Sequence, residues 1–181
     1  VGKSTTAINL SACLAEKGKK VLAIDMDPQG NTTSGFGVDK NGIENTLYEL
    51  LLGEAETKDT IVKDVVENLD LIPSNINLSG AEIELVGIDD KEFILKGITD
   101  KLRRKYDYII LDCPPSLNML TINALTAATS VLVPIQCEYY ALEGLSQLIH
   151  TIDLVKERLN KRLKMEGVVF TMYDARTNLS L

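Results

Sequence analysis

The chain has 181 residues, of which 45% are hydrophobic and 25% charged, and its formal net charge is −7. This composition is typical of one globular domain and excludes a disordered, collagen-like or disulfide-stapled chain. The acidic balance also argues against a uniformly basic nucleic-acid binder, although residues 91–181 carry 12 basic and 10 acidic side chains against 7 and 16 in residues 1–90.

Short apolar runs rich in Val, Ile and Tyr, each bounded by Pro, Gly, Asp or Asn, predict buried strands. In chain order these runs are Val21–Ile24, Leu69–Ile72, Tyr108–Leu111, Val131–Ile135 and Val168–Met172. No apolar run approaches the 18 residues that would predict a membrane-spanning helix.

Helical patterns precede or separate these strands: Thr5–Lys17 with Gly18 as its C-terminal cap, Lys91–Lys105, and Ala141–Leu163. The segment Asn31–Asp59, rich in Gly, Asn, Thr and acidic residues, predicts surface loops and short helices. Strands that alternate with helices predict a doubly wound α/β fold, a mainly parallel sheet with helices on both faces. We interpret residues 1–181 as a single domain.

The first residues fit the end of a phosphate-binding loop, because Gly2-Lys3-Ser4 completes the pattern G-x-x-x-x-G-K-[ST]. A helix follows at once, so its N–H groups and dipole would favour an anion on the loop. The alternative is a plain helix start with Ser4 as N-cap. The first Gly of the pattern would precede Val1, and we therefore expect an internal fragment that lacks the strand before the loop.

Acidic residues follow two of the predicted strands, at the edge where parallel sheets bind ligands. Asp25 and Asp27 end the first run and would point to the same side of a strand, an arrangement suited to hydrated Mg²⁺ and a water nucleophile. The alternative is a strand end with two turn-forming Asp residues. Asp112 ends the third run in the form of a Walker B acid, which holds Mg²⁺ through water.

Five segments together resemble the ParA/Soj chromosome and plasmid partition ATPases, and the resemblance covers essentially the whole chain. The run Asp-x-Asp-Pro-Gln-Gly-Asn and the run Glu-Tyr-Tyr-Ala-Leu-Glu-Gly are its most specific parts. The segments are Val1–Thr6, Asp25–Asn31, Asp112–Pro115, Gln136–Gly144 and Thr171–Thr177.

The resemblance implies an ATPase with ATP and Mg²⁺ as cofactors. Lys3 would act in catalysis by contacting the β- and γ-phosphates, and Asp27 by positioning the attacking water. The nucleotide-binding residues would be Val1, Gly2, Lys3, Ser4 and Thr5. The residues that hold the metal, directly or through water, would be Ser4, Asp25 and Asp112.

The resemblance also implies a cytoplasmic, nucleoid-associated switch that does not use a membrane. ATP binding would drive homodimerisation and non-specific DNA binding, and a ParB-like centromere-binding protein would stimulate slow hydrolysis. Arg176 lies where this family carries basic residues linked to DNA binding. A second basic group, Lys156–Lys164, is interpreted as a solvated helix end rather than a nucleic-acid patch.

Two alternatives belong to related classes of nucleotide-dependent switch. A MinD-like regulator of cell division would need a C-terminal amphipathic helix for membrane binding. A reductase resembling the nitrogenase iron protein would need cysteines that hold an iron–sulfur cluster. Cys113 is followed by two prolines rather than by the Gly-Gly of that family, which disfavours the reductase.

Overall fold

The computed structural model describes residues 1–136 and 139–173, with the side chains of residues 139–143 left aside. The strands in this part are β1 (Val21–Asp25), β2 (Val62–Val66), β3 (Leu69–Ile72), β4 (Tyr108–Asp112), β5 (Ser130–Gln136) and β6 (Lys164–Thr171). The α-helices are α1 (Lys3–Glu16), α2 (Asn31–Gly35), α3 (Leu47–Leu52), α4 (Thr57–Thr60), α5 (Leu78–Glu84), α6 (Ile94–Leu102), α7 (Met119–Ala127) and α8 (Tyr139–Arg158).

The strands form a mainly parallel arrangement, as the sequence predicts. Within the described residues one sheet has the order β2-β3-β1-β4, and a parallel pair joins β5 to β6. Strand β1 is parallel to both of its neighbours, whereas β2 adds an antiparallel edge beside β3. All five residues of β1 are buried, which explains why this central strand is a continuous apolar run.

Successive side chains of β1 enter two different cores, because they point to opposite faces of the sheet. Leu22 and Ile24 pack in the larger core, with residues of α3, α5, α6 and α7. Val21 and Ala23 pack in a second core with Ala15 of α1. Helices therefore cover both faces of the sheet, as the sequence predicts for a doubly wound fold.

Glycines with left-handed backbone flank α1 on both sides. Gly2 is its N-cap, with φ of 81°, so the alternative in which Ser4 caps the helix is wrong. At the other end the C-cap residue is Lys17, and Gly18, with φ of 75°, donates its N–H to the Ala15 carbonyl, so the predicted glycine that ends the helix lies one residue beyond the cap. Within the described residues no helix is long and apolar enough to cross a membrane.

Several element boundaries differ from the sequence-based expectation. Strand β2 was not predicted, because its sequence Val-Lys-Asp-Val-Val carries two charges and lies at an exposed edge. Helix α8 ends at Arg158 instead of Leu163, and the predicted Lys91–Lys105 helix is a 3₁₀ turn followed by α6. The final strand is longer than predicted, since β6 begins at Lys164.

Candidate functional site

A cavity of about 720 Å³ opens where α1 begins, beside the turn that follows β1. One wall of the cavity consists of four residues of the predicted phosphate loop together with Asp27 and the turn after it. A second wall comes from segments far away in the sequence. That second wall comes from α5 and from the segment between β4 and α7. The lining residues are Gly2, Lys3, Ser4, Thr5, Asp27, Pro28, Gln29, Asn31, Ser79, Glu82, Pro114, Pro115, Ser116 and Asn118.

The loop side of the cavity is formed by the first turn of α1. The Gly2 carbonyl accepts both the backbone N–H of Thr6, at 2.9 Å, and the Thr6 hydroxyl, at 2.7 Å, which fixes this turn. The φ of Gly2 favours glycine, and a Cβ there would lie 2.9 Å from Cγ2 of Thr171, so a larger residue would also displace the Thr171 side chain. Val1 lies outside the cavity lining, and its carbonyl accepts the Thr171 hydroxyl at 3.2 Å.

Asp25 is fully buried at the end of β1 and is held by three hydrogen bonds. The backbone N–H and the hydroxyl of Thr33 both donate to its Oδ2 at 2.7 Å, and the N–H of Asp27 donates to its Oδ1 at 3.2 Å. Burial raises the pKa of Asp25 to about 6, although these hydrogen bonds oppose the rise, and the nearby Asp112 adds to it. A cation at this position would therefore favour the ionised carboxylate.

Asp112 lies beside Asp25, since the two residues are register partners at the ends of β4 and β1. Asp112 is 3% exposed, and its Oδ2 accepts the Thr32 hydroxyl at 2.6 Å. Consecutive threonines of α2 thus hold the two neighbouring carboxylates, one each. Neither threonine was singled out by the sequence analysis, because α2 has five residues and no apolar periodicity.

Asp27 reaches the cavity by a turn and not by continuing the strand. Strand β1 ends at Asp25, whose carboxylate accepts the Asp27 N–H, so the expectation that both side chains point to one side of a strand is wrong. Asp27, which is 8% exposed, lines the cavity, whereas Asp25 is fully buried and is not part of the lining. The side-chain carboxylate of Asp27 accepts the backbone N–H of Gln29 at 2.9 Å. The backbone carbonyl of Asp27 accepts the hydroxyl of Ser74 at 2.9 Å.

Gly30 allows the chain to turn from Asp27 into α2. Its φ is 62°, and a Cβ there would lie 2.8 Å from the backbone oxygen of Ser74. A side chain at this position would push apart the two segments that hold Asp27 and Thr33, because Ser74 also donates its N–H to the Thr33 hydroxyl at 2.9 Å.

The oxygen atoms at this site suit a hard cation. The Ser4 hydroxyl and the carboxylates of Asp25 and Asp112 are ligands that Mg²⁺ prefers, and a cation with few protein ligands keeps waters and binds substrate phosphates. Among the described residues, no cluster of three or more His, Cys, Asp or Glu side chains has the arrangement of a metal site. The donor set fits an ion that arrives with a phosphate ligand better than an all-protein cage.

The sequence analysis singled out Pro114 and Pro115 of the far wall, within the segment Asp112–Pro115, but not its polar residues. Asn118 is the N-cap of α7, and its side-chain oxygen accepts the N–H of Thr121 at 3.2 Å. Its amide nitrogen donates to Glu82 and, at 2.9 Å, to the Ser116 hydroxyl. An Asn directly before the apolar run 119–127 is a cap signal that would have located α7.

Two other predicted residues stand apart from this geometry. Arg176 lies outside the described residues. Burial and, to a lesser extent, the adjacent Asp112 carboxylate raise the pKa of the Cys113 thiol to about 12, although the charge of Lys3 opposes the rise.

Comparison with known proteins agrees with the phosphate-loop geometry. A family model described as an AAA domain matches residues 1–165. The sporulation initiation inhibitor protein Soj of Bacillus subtilis is 57% identical over 100% of this chain and 72% of its own length. The chromosome partitioning protein ParA of Myxococcus xanthus is 54% identical over 99% of this chain and 64% of its own length.

Solved structures give the same fold. Cobyrinic acid a,c-diamide synthase from Mycobacterium smegmatis, with bound ATP analog and magnesium, is 42% identical with a TM-score of 0.93, over 99% of this chain and 73% of that one. A plasmid partition protein from Borrelia burgdorferi is 34% identical with a TM-score of 0.84, over 99% and 76%.

The fold and the loop define a P-loop nucleotide-binding domain. The identity over the whole chain goes further, and this chain belongs to the ParA/Soj family of P-loop partitioning ATPases. Membership confirms the predicted family, fold and class of enzyme. The ATP analog, ADP and magnesium in the structures of a relative agree with the predicted cofactors.

Proposed function

We propose that this chain is the nucleotide switch of a chromosome- or plasmid-partitioning system. Mg-ATP drives homodimerisation and non-specific binding to the DNA of the nucleoid, and hydrolysis of the ATP releases the protein from the DNA. A ParB-like centromere-binding protein is the stimulating partner. The observation that carries this proposal is the convergence on one cavity of the loop residues Lys3 and Ser4 with Asp27, beside the buried pair Asp25 and Asp112.

The proposed chemistry is positioning and charge stabilisation by groups already fixed in the fold. Lys3 and the amides of the first turn of α1 bind the phosphates, and the helix dipole adds to this attraction. Asp27, anchored through Gln29 and Ser74, orients the attacking water. Mg²⁺ supplies charge neutralisation on the transferred phosphoryl group, and Ser4, Asp25 and Asp112 would hold it.

The names of the relatives support partition over other uses of the fold. The relatives named Soj and ParA are 57% and 54% identical to this chain, whereas the relative named cobyrinic acid a,c-diamide synthase is 42% identical. The MinD-like alternative depends on a C-terminal amphipathic helix, and no observation on the described residues favours it over partition. Turnover of ATP in the absence of cobyrinic acid would separate the switch from the synthase.

Sizing of the full-length protein with ATP and Mg²⁺ tests the proposal. Lys3→Ala removes the point charge on the β- and γ-phosphates, and we expect it to abolish the ATP-dependent dimer. The control is Lys17→Ala, which removes an exposed lysine at the other end of the same helix. An ATP-dependent dimer of the Lys3→Ala variant would show that this loop is not the nucleotide site.

A further inference from the structure

A second groove, of about 480 Å³, carries a strong concentration of positive charge. Four basic side chains from α8, the following turn and the start of β6 line it, together with a hydroxyl group from the residue before β5 and one from the first residue of β5. We call it the basic groove, and its defining residues are Lys156, Lys161, Arg162, Lys164, Thr129 and Ser130. Glu166 is the one acidic residue in its lining.

The cavity at the phosphate loop is called the nucleotide cavity below. The basic groove lies at the opposite end of the β5–β6 pair from it. Ser130 and Lys164 are register partners where the two parallel strands begin. Thr171, at the far end of β6, donates its hydroxyl to the carbonyl of Val1, directly before Gly2 of the phosphate loop. Because β6 has eight residues, at about 3.3 Å each, the groove is on the order of 23 Å from that loop.

The turn that carries Lys161 and Arg162 is fixed by its neighbours. The side chain of Asn160 donates to the carbonyls of Leu125 and Ala128, at 2.9 and 2.7 Å, and so ties the turn to the end of α7. Leu163 is fully buried directly after the two basic residues. The basic side chains therefore project from a backbone that is ordered before any ligand binds, which lowers the entropic cost of binding.

The basic side chains of the groove are not held in ion pairs within the described part of the protein. None of its four basic side chains forms an ion pair with a described residue, whereas Lys58, Lys63, Lys96 and Arg103 all do. The dipole of α8 accounts for Lys156 in the last turn of that helix. It does not account for Lys161, Arg162 and Lys164, which follow the helix.

Further basic residues follow α6, close to the end of α7 that the basic groove adjoins. Arg103 donates to the Ala127 carbonyl at 3.0 Å, at the same end of α7 that Asn160 contacts. Arg104 and Lys105 follow Arg103 directly and are exposed. The basic residues after α6 and those after α8 thus lie near the same end of α7, on a protein whose net charge is −7.

We propose that the basic groove binds the phosphate backbone of duplex DNA, as a contact surface separate from the nucleotide cavity. This inference rests on the proposed DNA-binding function and assigns it a surface. It replaces the sequence-based interpretation of Lys156–Lys164 as a solvated helix end, because the structure gathers these basic residues in one groove. Clustered Lys and Arg with Ser and Thr hydroxyls are the side chains that contact DNA phosphates, and a groove without base-reading elements fits binding to any sequence. A lipid surface is disfavoured, because Leu163, the apolar residue in the lining, is fully buried and cannot insert.

Binding of a random-sequence duplex to the full-length protein across a salt series tests the inference. The variant is Lys161→Ala/Arg162→Ala, measured both with Mg-ATP and, at low salt, without nucleotide. We expect weaker binding in both arms, and a plot of log affinity against log salt that is shallower by about two units. ATP-dependent dimerisation and ATPase activity without DNA should be unchanged, because the groove is remote from the nucleotide cavity.

The matched control is Lys58→Ala/Lys96→Ala, which removes the same charge from exposed ion pairs elsewhere. Its salt slope should equal that of the unmodified protein. An unchanged slope for the groove variant would overturn the inference, as would loss of binding to anionic vesicles with unchanged DNA affinity. If the unmodified protein binds DNA equally with and without ATP, and the groove variant binds DNA more weakly, the proposed ATP-dependent switch is contradicted, whereas the assignment of the basic groove as the DNA-binding surface stands.

Discussion

Asp25 and Asp112 lie side by side at the ends of two parallel strands, and consecutive threonines bind them. Thr33 holds Asp25 through its N–H and its hydroxyl, while the hydroxyl of Thr32 holds Asp112. The pair is buried without a cationic side chain among these hydrogen-bond partners. This arrangement is what a cation that arrives with ATP would complete.

Replacing Thr33 by Val tests whether this support matters. The change keeps the side-chain shape but removes the donor to Asp25 and the acceptor for the Ser74 N–H. We expect the free energy of unfolding to fall by about 1.5–3 kcal/mol, and the Mg²⁺ concentration needed for half-maximal ATPase activity to rise. Urea unfolding and a Mg²⁺ titration measure the two effects. Thr151→Val, on α8, is the control, and equal losses in both variants would contradict a special role for Thr33.

Gly30→Ala should disturb the same region through the backbone. The left-handed backbone alone costs roughly 1–2 kcal/mol for alanine. The new Cβ would also approach the Ser74 oxygen to 2.8 Å, so the segments that hold Asp27 and Thr33 must shift. Gly37→Ala is the matched control, because Gly37 has φ of 77° and nothing within 4 Å of its Cβ position. Equal destabilisation of the two variants by urea unfolding would show that the close contact is unimportant.

A polar cluster away from the nucleotide cavity should make stability depend on acid pH. Asp70, in β3, accepts from Lys63 at 2.6 Å, from Tyr106 at 2.5 Å and from the backbone of Asp64 at 2.9 Å. Burial alone would raise the pKa of Asp70, but these hydrogen bonds outweigh it and lower the pKa below its usual value. The cluster therefore stabilises the fold above the unfolded-state pKa of about 4, and this stability is lost as pH falls through the lower folded-state pKa.

Tyr106→Phe tests that cluster. At pH 7 we expect the free energy of unfolding to fall by about 1.5–3 kcal/mol, because a hydrogen bond to a buried carboxylate is lost. The difference from the unmodified protein should shrink as the pH is lowered and Asp70 becomes protonated. Tyr48→Phe is the control, since its hydroxyl donates to the exposed Glu84. A difference that stays constant from pH 7 to acid would contradict the assignment.

The site could be predicted from the sequence at positions where an acidic residue directly ends an apolar strand. Asp25 and Asp112 follow apolar runs, and their pairing in the structure agrees with the rule that ligands bind at the ends of parallel strands. Thr32 and Thr33 could not be found in this way. They lie in a five-residue helix whose sequence is polar, and tertiary hydrogen bonds fix their role.

The elements that escaped prediction did so for different physical reasons. Helix α7 is apolar around most of its circumference, so its sequence lacks the periodicity that marks an amphipathic helix. Strand β2 lies at an edge, where charged side chains are tolerated. The early end of α8 reflects Asn160, whose side chain caps the carbonyls of α7 instead of continuing a helix. That contact depends on a partner far away in the sequence.

The most direct test of the proposed switch is to measure phosphate release and DNA binding by Asp27→Ala in the full-length protein. Asp27 lines the cavity and has no proposed part in holding phosphate or metal. We expect ATP-dependent dimerisation and DNA binding to persist while phosphate release stops, because the attacking water is no longer oriented. Asp39→Ala, in the loop after α2, is the control and should turn over normally. Phosphate release by Asp27→Ala at the rate of the unmodified protein would contradict the account.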